Sequence, residues 1–181
     1  MTVRLYRNPI IRIPLTGEWL FQAESFAGEY VKIKESDPEK QRKLSRWAES
    51  WWLCTRAFVW YFDGEFERLH DRALKSGWTP SEVLRIGKHT YHLTTAQVHE
   101  KWNFGPTSTG AVPKGLLPRS KADVFVMSCL VVPDVDIIGW ATREELMRSS
   151  EGKRHIIRES TAHPMKEAPG LARRDKRGWY V

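Results

Sequence analysis

Asp123-Val124-Phe125-Val126-Met127-Ser128-Cys129-Leu130-Val131-Val132, then Pro133-Asp134, then Val135-Asp136-Ile137-Ile138-Gly139-Trp140 is the stretch on which the fold turns. The first run is apolar on both of its alternating sides and rich in β-branched residues, which is the pattern of a central strand covered on two faces. Pro133-Asp134 supplies a turn, and the second run reads as the neighbouring strand. Thr142-Arg143-Glu144-Glu145 follows with the hydroxyl-to-carboxylate spacing of a capping box, so a short helix is expected through Met147.

Upstream, Ser36-Asp37-Pro38-Glu39 has the residues of a helix start, with Ser36 as the expected acceptor and Pro38 tolerated in the first turn. Leu44, Trp47, Trp51, Cys54, Phe58 and Phe62 then recur at steps of three and four, which puts them on one apolar stripe facing a core. Trp52 and Trp60 fall off that stripe and are left for other contacts. Asp63-Gly64 ends or bends this helix, and Phe66, Leu69 and Ala73 mark a second one running to Gly77; the helical pair spans 37–77.

Before the pair, Arg4 to Ile13, Glu18 to Phe21 and Tyr30 to Lys34 have strand-like content punctuated by Pro9, Pro14 and Gly17, and predict an N-terminal meander. After it, Val83 to Ile86 and His89 to Leu93 flank Gly87-Lys88, a two-residue hairpin turn. Thr95 to Trp102 is expected as a short helix. Residues 103–122 hold Gly105, Gly110, Gly115, Pro106, Pro113 and Pro118, and predict an irregular loop of functional length. His155 to Arg158 is expected as a short strand beyond Gly152. The fold class is thus α+β: a mixed central sheet with an N-terminal meander and a helical pair packed on it. One domain covers 1–168 and a flexible basic tail covers 169–181.

Composition narrows the function classes. The chain has 181 residues, 41% of them apolar, and a formal net charge of +7. No apolar run approaches the roughly 18–20 residues that cross a bilayer, and the first residues lack a signal peptide's apolar core, so a cytosolic protein without a membrane partner is expected. Cys54 and Cys129 stand in no Cys-x-x-Cys or Cys/His ligand pattern, which argues against a disulfide framework or a structural zinc site. The positive charge is local. Between 78 and 121, Arg85, Lys88, Lys101, Lys114, Arg119 and Lys121 face only Glu82 and Glu100, whereas 122–147 is acidic and 148–181 basic again. Such a split suits a surface that meets a polyanion, since neutralised phosphates release condensed counterions. Lys114, Arg119 and Lys121 are the expected phosphate contacts, with Trp102 or Phe104 free to stack on a base.

Lys121-Ala122-Asp123-Val124-Phe125-Val126, Ile137-Ile138-Gly139-Trp140-Ala141-Thr142-Arg143-Glu144-Glu145-Leu146, His155-Ile156-Ile157-Arg158 and His163-Pro164-Met165 together resemble the closing portion of phage and prophage proteins with a restriction-endonuclease-like, PD-(D/E)XK, core. The resemblance covers residues 121–167, about a quarter of the chain, and these residues are scaffold. It implies a strand, a tight turn, a second strand ending in Gly-Trp and a helix, packed behind a metal-dependent nuclease site upstream. In such a site carboxylates hold Mg2+ or Mn2+ and a lysine supports the attacking water. By spacing to Val124 the lysine-bearing strand is Glu82 to Lys88, where Ile86 occupies the acidic position. That departure implies an altered or lost site, with Glu82 as displaced acid, Lys88 as lysine, and His89 or His92 in proton transfer.

Other patterns compete for chemistry. Pro133-Asp134 with Glu151-Gly152-Lys153 spells the nuclease motif literally but reads as a hairpin turn plus a helix-to-strand loop. Glu24, Glu29 and Lys32 read as surface charge. His92-Leu93-Thr94 supplies one half of the paired His-x-Thr of metal-free two-histidine phosphoesterases, and the chain has no second half. The expected function is therefore nucleic-acid binding or processing of phage or mobile-element type. A non-catalytic module that binds a host or viral protein through exposed tryptophans is the alternative.

Overall fold

The computed structural model describes residues 9–62, 66–76, 84–97, 109–115 and 117–170. In chain order the elements are β1 (Ile11–Pro14), α1 (Gly17–Lys34), α2 (Pro38–Tyr61), α3 (Phe66–Ser76), β2 (Leu84–Ile86), β3 (His89–Gln97), β4 (Thr109–Pro113), β5 (Val124–Val131), β6 (Asp134–Thr142), α4 (Arg143–Arg148), β7 (Ser150–Glu151) and β8 (Arg154–Arg158). A single 3-10 turn follows at Met165–Glu167. The architecture is α+β, with a mixed five-stranded sheet in the order β1-β6-β5-β3-β2 and a smaller sheet in the order β4-β8-β7.

The hairpin β5–β6 lies at the middle of the larger sheet, as its apolar runs require. β3 joins β5 in parallel, Tyr91 opposite Val124, while β1 and β2 close the two edges in antiparallel pairing. Alternation divides the core between two faces. Val124 and Val126 of β5 and Tyr91 and Leu93 of β3 meet the helices, while Phe125, Met127 and Cys129 pack with Val112, Leu146 and Ile157 of the smaller layer. Each large apolar side chain buried this way contributes about 1.5 to 3 kcal/mol.

α2 carries its expected stripe inward: Trp51, Cys54, Phe58 and Phe62 are buried. Its cap is Asp37 and not Ser36, since the Asp37 carboxylate accepts from the backbone of Glu39 and Lys40. Trp52 is buried as well, with its indole N–H donated to His70 Nδ1 at 2.9 Å, so it is not left for other contacts. α3 buries Phe66, Leu69 and Ala73 as the spacing predicts. Gly87, at φ +63°, turns β2 into β3 as expected of the Gly87-Lys88 hairpin.

The N-terminal meander is corrected. Among the described residues there only Ile11–Pro14 is a strand, residues 4–8 of the expected first strand lying outside them, and both Glu18 to Phe21 and Tyr30 to Lys34 belong to α1. Thr16 caps that helix through the Trp19 N–H at 3.1 Å, and Trp19, Ala23, Phe26, Ala27 and Tyr30 recur at helical spacing and are buried. Burial of that stripe against α2 outweighs the strand preference of Val31 and Ile33. The short helix expected from Thr95 is also corrected, because Thr95, Ala96 and Gln97 continue β3 opposite Ser128, Cys129 and Leu130. A parallel neighbour satisfies their backbone groups as strand. The expected loop at 103–122 contains β4, paired with β8, with Pro113 at the strand's end. Glu151, expected in a loop, is the second residue of β7.

Gly139 marks a close approach that fixes residue type. A Cβ there would lie 2.8 Å from both the Ala162 Cβ and the His163 carbonyl oxygen. Beside it Trp140 exchanges backbone hydrogen bonds with His163 and donates its indole N–H to the Pro164 carbonyl at 3.1 Å. This pins residues 162–165 against the sheet.

Candidate nucleic-acid interface

The starts of β3 and β5 lie at one end of the larger sheet because the two strands are parallel, and the end of β6 lies there because it runs antiparallel to β5. Three loops gather at this end. The β2–β3 turn carries Lys88, the segment before β5 carries Arg119 and Lys121, and α4 begins immediately after β6.

Local hydrogen bonds hold these loops to one another. The Thr90 hydroxyl is 2.9 Å from both the Lys121 carbonyl and the Asp123 carboxylate, and shares its one proton between them. The Asp123 N–H donates to the Thr90 carbonyl at 2.9 Å. Arg143 donates to the carbonyls of Leu117 at 2.8 Å and Ala122 at 3.0 Å, and also to that of Ser120. Its guanidinium stands 5.9 Å from the centre of the Phe125 ring. Arg143 therefore spends its donors on carbonyls and shapes the loop that presents Arg119 and Lys121.

A second group of cations lies where the smaller sheet's strands end. The Lys114 N–H donates to the Lys153 carbonyl at 3.1 Å, so the end of β4 and the β7–β8 turn are adjacent. Lys88, Lys114, Arg119, Lys121, Lys153 and Arg154 are all exposed. Lys153, weighed in the sequence only as a motif lysine, and Arg154 were not among the expected phosphate contacts, although Gly152-Lys153-Arg154 places two cations directly after a glycine turn. Of the exposed acids nearby, Asp123 bonds to Thr90, Glu151 pairs with Arg158, and Glu144 of α4 lies 4.0 Å from the Arg148 guanidinium. Side chains of this kind, on turns whose backbones are fixed, can pair with phosphate oxygens without distorting the fold.

The expected proton-transfer residues separate. Lys88 is exposed in its turn, and His89 lies beside Tyr91 on the helix side of the sheet, with Gly170 against its ring. His92 points to the other side, 7% exposed, with its ring centre 5.5 Å from that of Phe125. Burial pushes its pKa down to about 4, so it stays neutral, and among the described residues its buried Nδ1 has no hydrogen-bond partner. Thr94 is buried too and donates to the Val126 carbonyl at 3.2 Å. Glu82 and Trp102 lie outside the described residues.

Among the described residues no three His, Cys, Asp or Glu side chains gather as a metal would require. Asp134 sits at the β5–β6 turn, the opposite end of the sheet from Val124, while Glu151 belongs to the smaller sheet. Glu24 and Glu29 stand exposed on α1, and no helix among the described residues is long and apolar enough to cross a membrane.

Comparison with protein-family models, with curated proteins and with solved structures found no match.

Proposed function

We propose that this protein binds the phosphate backbone of a nucleic acid through the basic end of its larger sheet. One observation carries the reading: Lys88, Arg119 and Lys121 are exposed on loops held by the Thr90–Lys121 and Arg143–Leu117 hydrogen bonds, and Lys114, Lys153 and Arg154 are exposed together where the Lys114–Lys153 hydrogen bond joins the end of β4 to the β7–β8 turn. Fixed backbones lower the ordering cost that long basic side chains otherwise incur on binding. The partial resemblance of residues 121–167 to phage nuclease-like proteins supports the same reading from the sequence side. The proposal is one of binding and includes no cleavage step.

The test is fluorescence anisotropy with labelled single-stranded DNA, duplex DNA and RNA. The triple reversal Lys88→Glu, Lys121→Glu, Lys153→Glu is expected to weaken binding by about 100-fold or more. A control of equal charge change on the helices, Lys32→Glu, Lys43→Glu, Lys75→Glu, is expected to weaken it by less than about tenfold through the general field alone. Equal losses in the two triples would overturn the reading.

A further inference from the structure

On the opposite, helical side of the molecule a cleft of about 530 Å³ runs between α1 and α3, with α2 as its floor. Aromatic side chains form the walls. Phe26 lies 5.2 Å from the His70 ring, centre to centre, and the Arg56 guanidinium sits 5.4 Å from the Trp19 ring centre and 5.2 Å from that of Phe66. Trp52 donates its indole N–H to His70 Nδ1 at 2.9 Å and holds that ring against the floor. The rim is of different character. Glu18 and Glu29 of α1 and Asp71 of α3 are exposed along it, and Phe21 stands 73% exposed between the two glutamates.

Three carboxylates against one guanidinium make this cleft net negative, in a protein whose formal net charge is +7. A polyanion is repelled here and a cation attracted, so the cleft and the basic end of the sheet select opposite partners. Its length narrows the partner further. Glu18 and Glu29 are eleven helical positions apart, about 16 Å at 1.5 Å per residue. Alternate side chains of an extended chain share a face, so basic residues four positions apart, about 13 Å along the backbone, reach both glutamates from one face with the rest of the span taken up by their long side chains.

We propose that this cleft docks an extended segment of a partner protein that carries two basic side chains about four residues apart and an apolar residue midway between them. The basic groups pair with Glu18 and Glu29, while the apolar residue covers Phe21 and the edge of the aromatic wall. Asp71 faces the segment from α3 and accepts from its backbone or from either cation.

The probe is the peptide acetyl-Arg-Gly-Leu-Gly-Arg-amide, whose two arginines and leucine share one face when extended, titrated into the full chain while the indole N–H resonance of Trp52 is followed by NMR. The resonance is expected to shift saturably. Replacing both arginines of the peptide by glutamate is expected to abolish the shift, and Glu18→Gln or Glu29→Gln in the protein to weaken binding by about fivefold each. Both substitutions are on the surface, so the nucleic-acid affinity should stay unchanged, and the thermal midpoint should fall by no more than the few degrees that loss of a first-turn carboxylate costs at Glu18. An unmoved Trp52 resonance, equal binding of the glutamate peptide, or binding of arginine amide as tight as that of the peptide would overturn the proposal.

Discussion

Arg143, the first residue of α4, donates to the Leu117 carbonyl across 26 positions of sequence at 2.8 Å, and bonds to the Ser120 and Ala122 carbonyls as well. A helix start therefore sets the shape of the loop that carries Arg119 and Lys121. Arg143→Ala should leave those carbonyls unsatisfied and cost about 2 to 4 kcal/mol, measured by urea unfolding. Arg143→Lys should recover part of this, because an ammonium cannot reach the carbonyls in the guanidinium's fork geometry. Both variants should also weaken nucleic-acid binding, although Arg143 itself is turned to the loop.

Arg12 and Asp136 face each other across β1 and β6, Nε to Oδ1 at 2.8 Å, with the Asp136 side chain wholly buried. Arg12→Met should leave a buried carboxylate without its guanidinium and destabilise the fold by about 3 to 5 kcal/mol. The double variant Arg12→Met, Asp136→Leu should be more stable than the single one. A double variant no more stable than Arg12→Met would show that the pair does not couple.

His92 gives the acid side of the stability curve a defined shape. Its folded pKa lies near 4 against an ordinary 6.5, so between those values the unfolded chain binds more protons than the folded one. Stability should therefore fall as pH drops from about 6.5 and level off near 4, with a total loss of up to about 3 kcal/mol from this residue. His92→Leu removes the titrating group and should flatten that part of the curve, read from urea midpoints across the range.

Glu145 acts lower in pH. Desolvation raises its pKa, but hydrogen bonds from the Thr142 backbone, His163 and the Thr142 hydroxyl together outweigh it and hold the carboxyl below its ordinary value. A depressed carboxylate contributes stability above its unfolded pKa and loses it as pH falls through the folded one. Glu145→Ala, which removes the capping box and the His163 contact, should cost about 1 kcal/mol at neutral pH. That difference should shrink in acid.

The parts legible in the sequence are those where one local pattern dominated. The β5–β6 hairpin, the stripe of α2, the Gly87-Lys88 turn and the Thr142 capping box follow from periodicity and punctuation alone. Val31 and Ile33 misled because a β-branched pair at a helix end is outweighed by the tertiary burial of Phe26, Ala27 and Tyr30. Thr95 to Gln97 and β4 misled for the opposite reason: their partners, β5 and β8, are distant in sequence, and short segments take their form from pairing. At the candidate interface Lys114, Arg119 and Lys121 were legible as charge. Lys153 and Arg154 became visible only once β4 and β8 were paired, and the role of Arg143 only once α4 stood at the same end of the sheet as residues 117–122.

The basic end of the sheet is tested most directly by the salt dependence of duplex DNA binding by the unaltered protein. If four to six of the exposed cations meet phosphates, a plot of log affinity against log salt should fall with a slope between about −3.5 and −5.5. A slope shallower than about −1, or no binding in dilute buffer, would contradict the account.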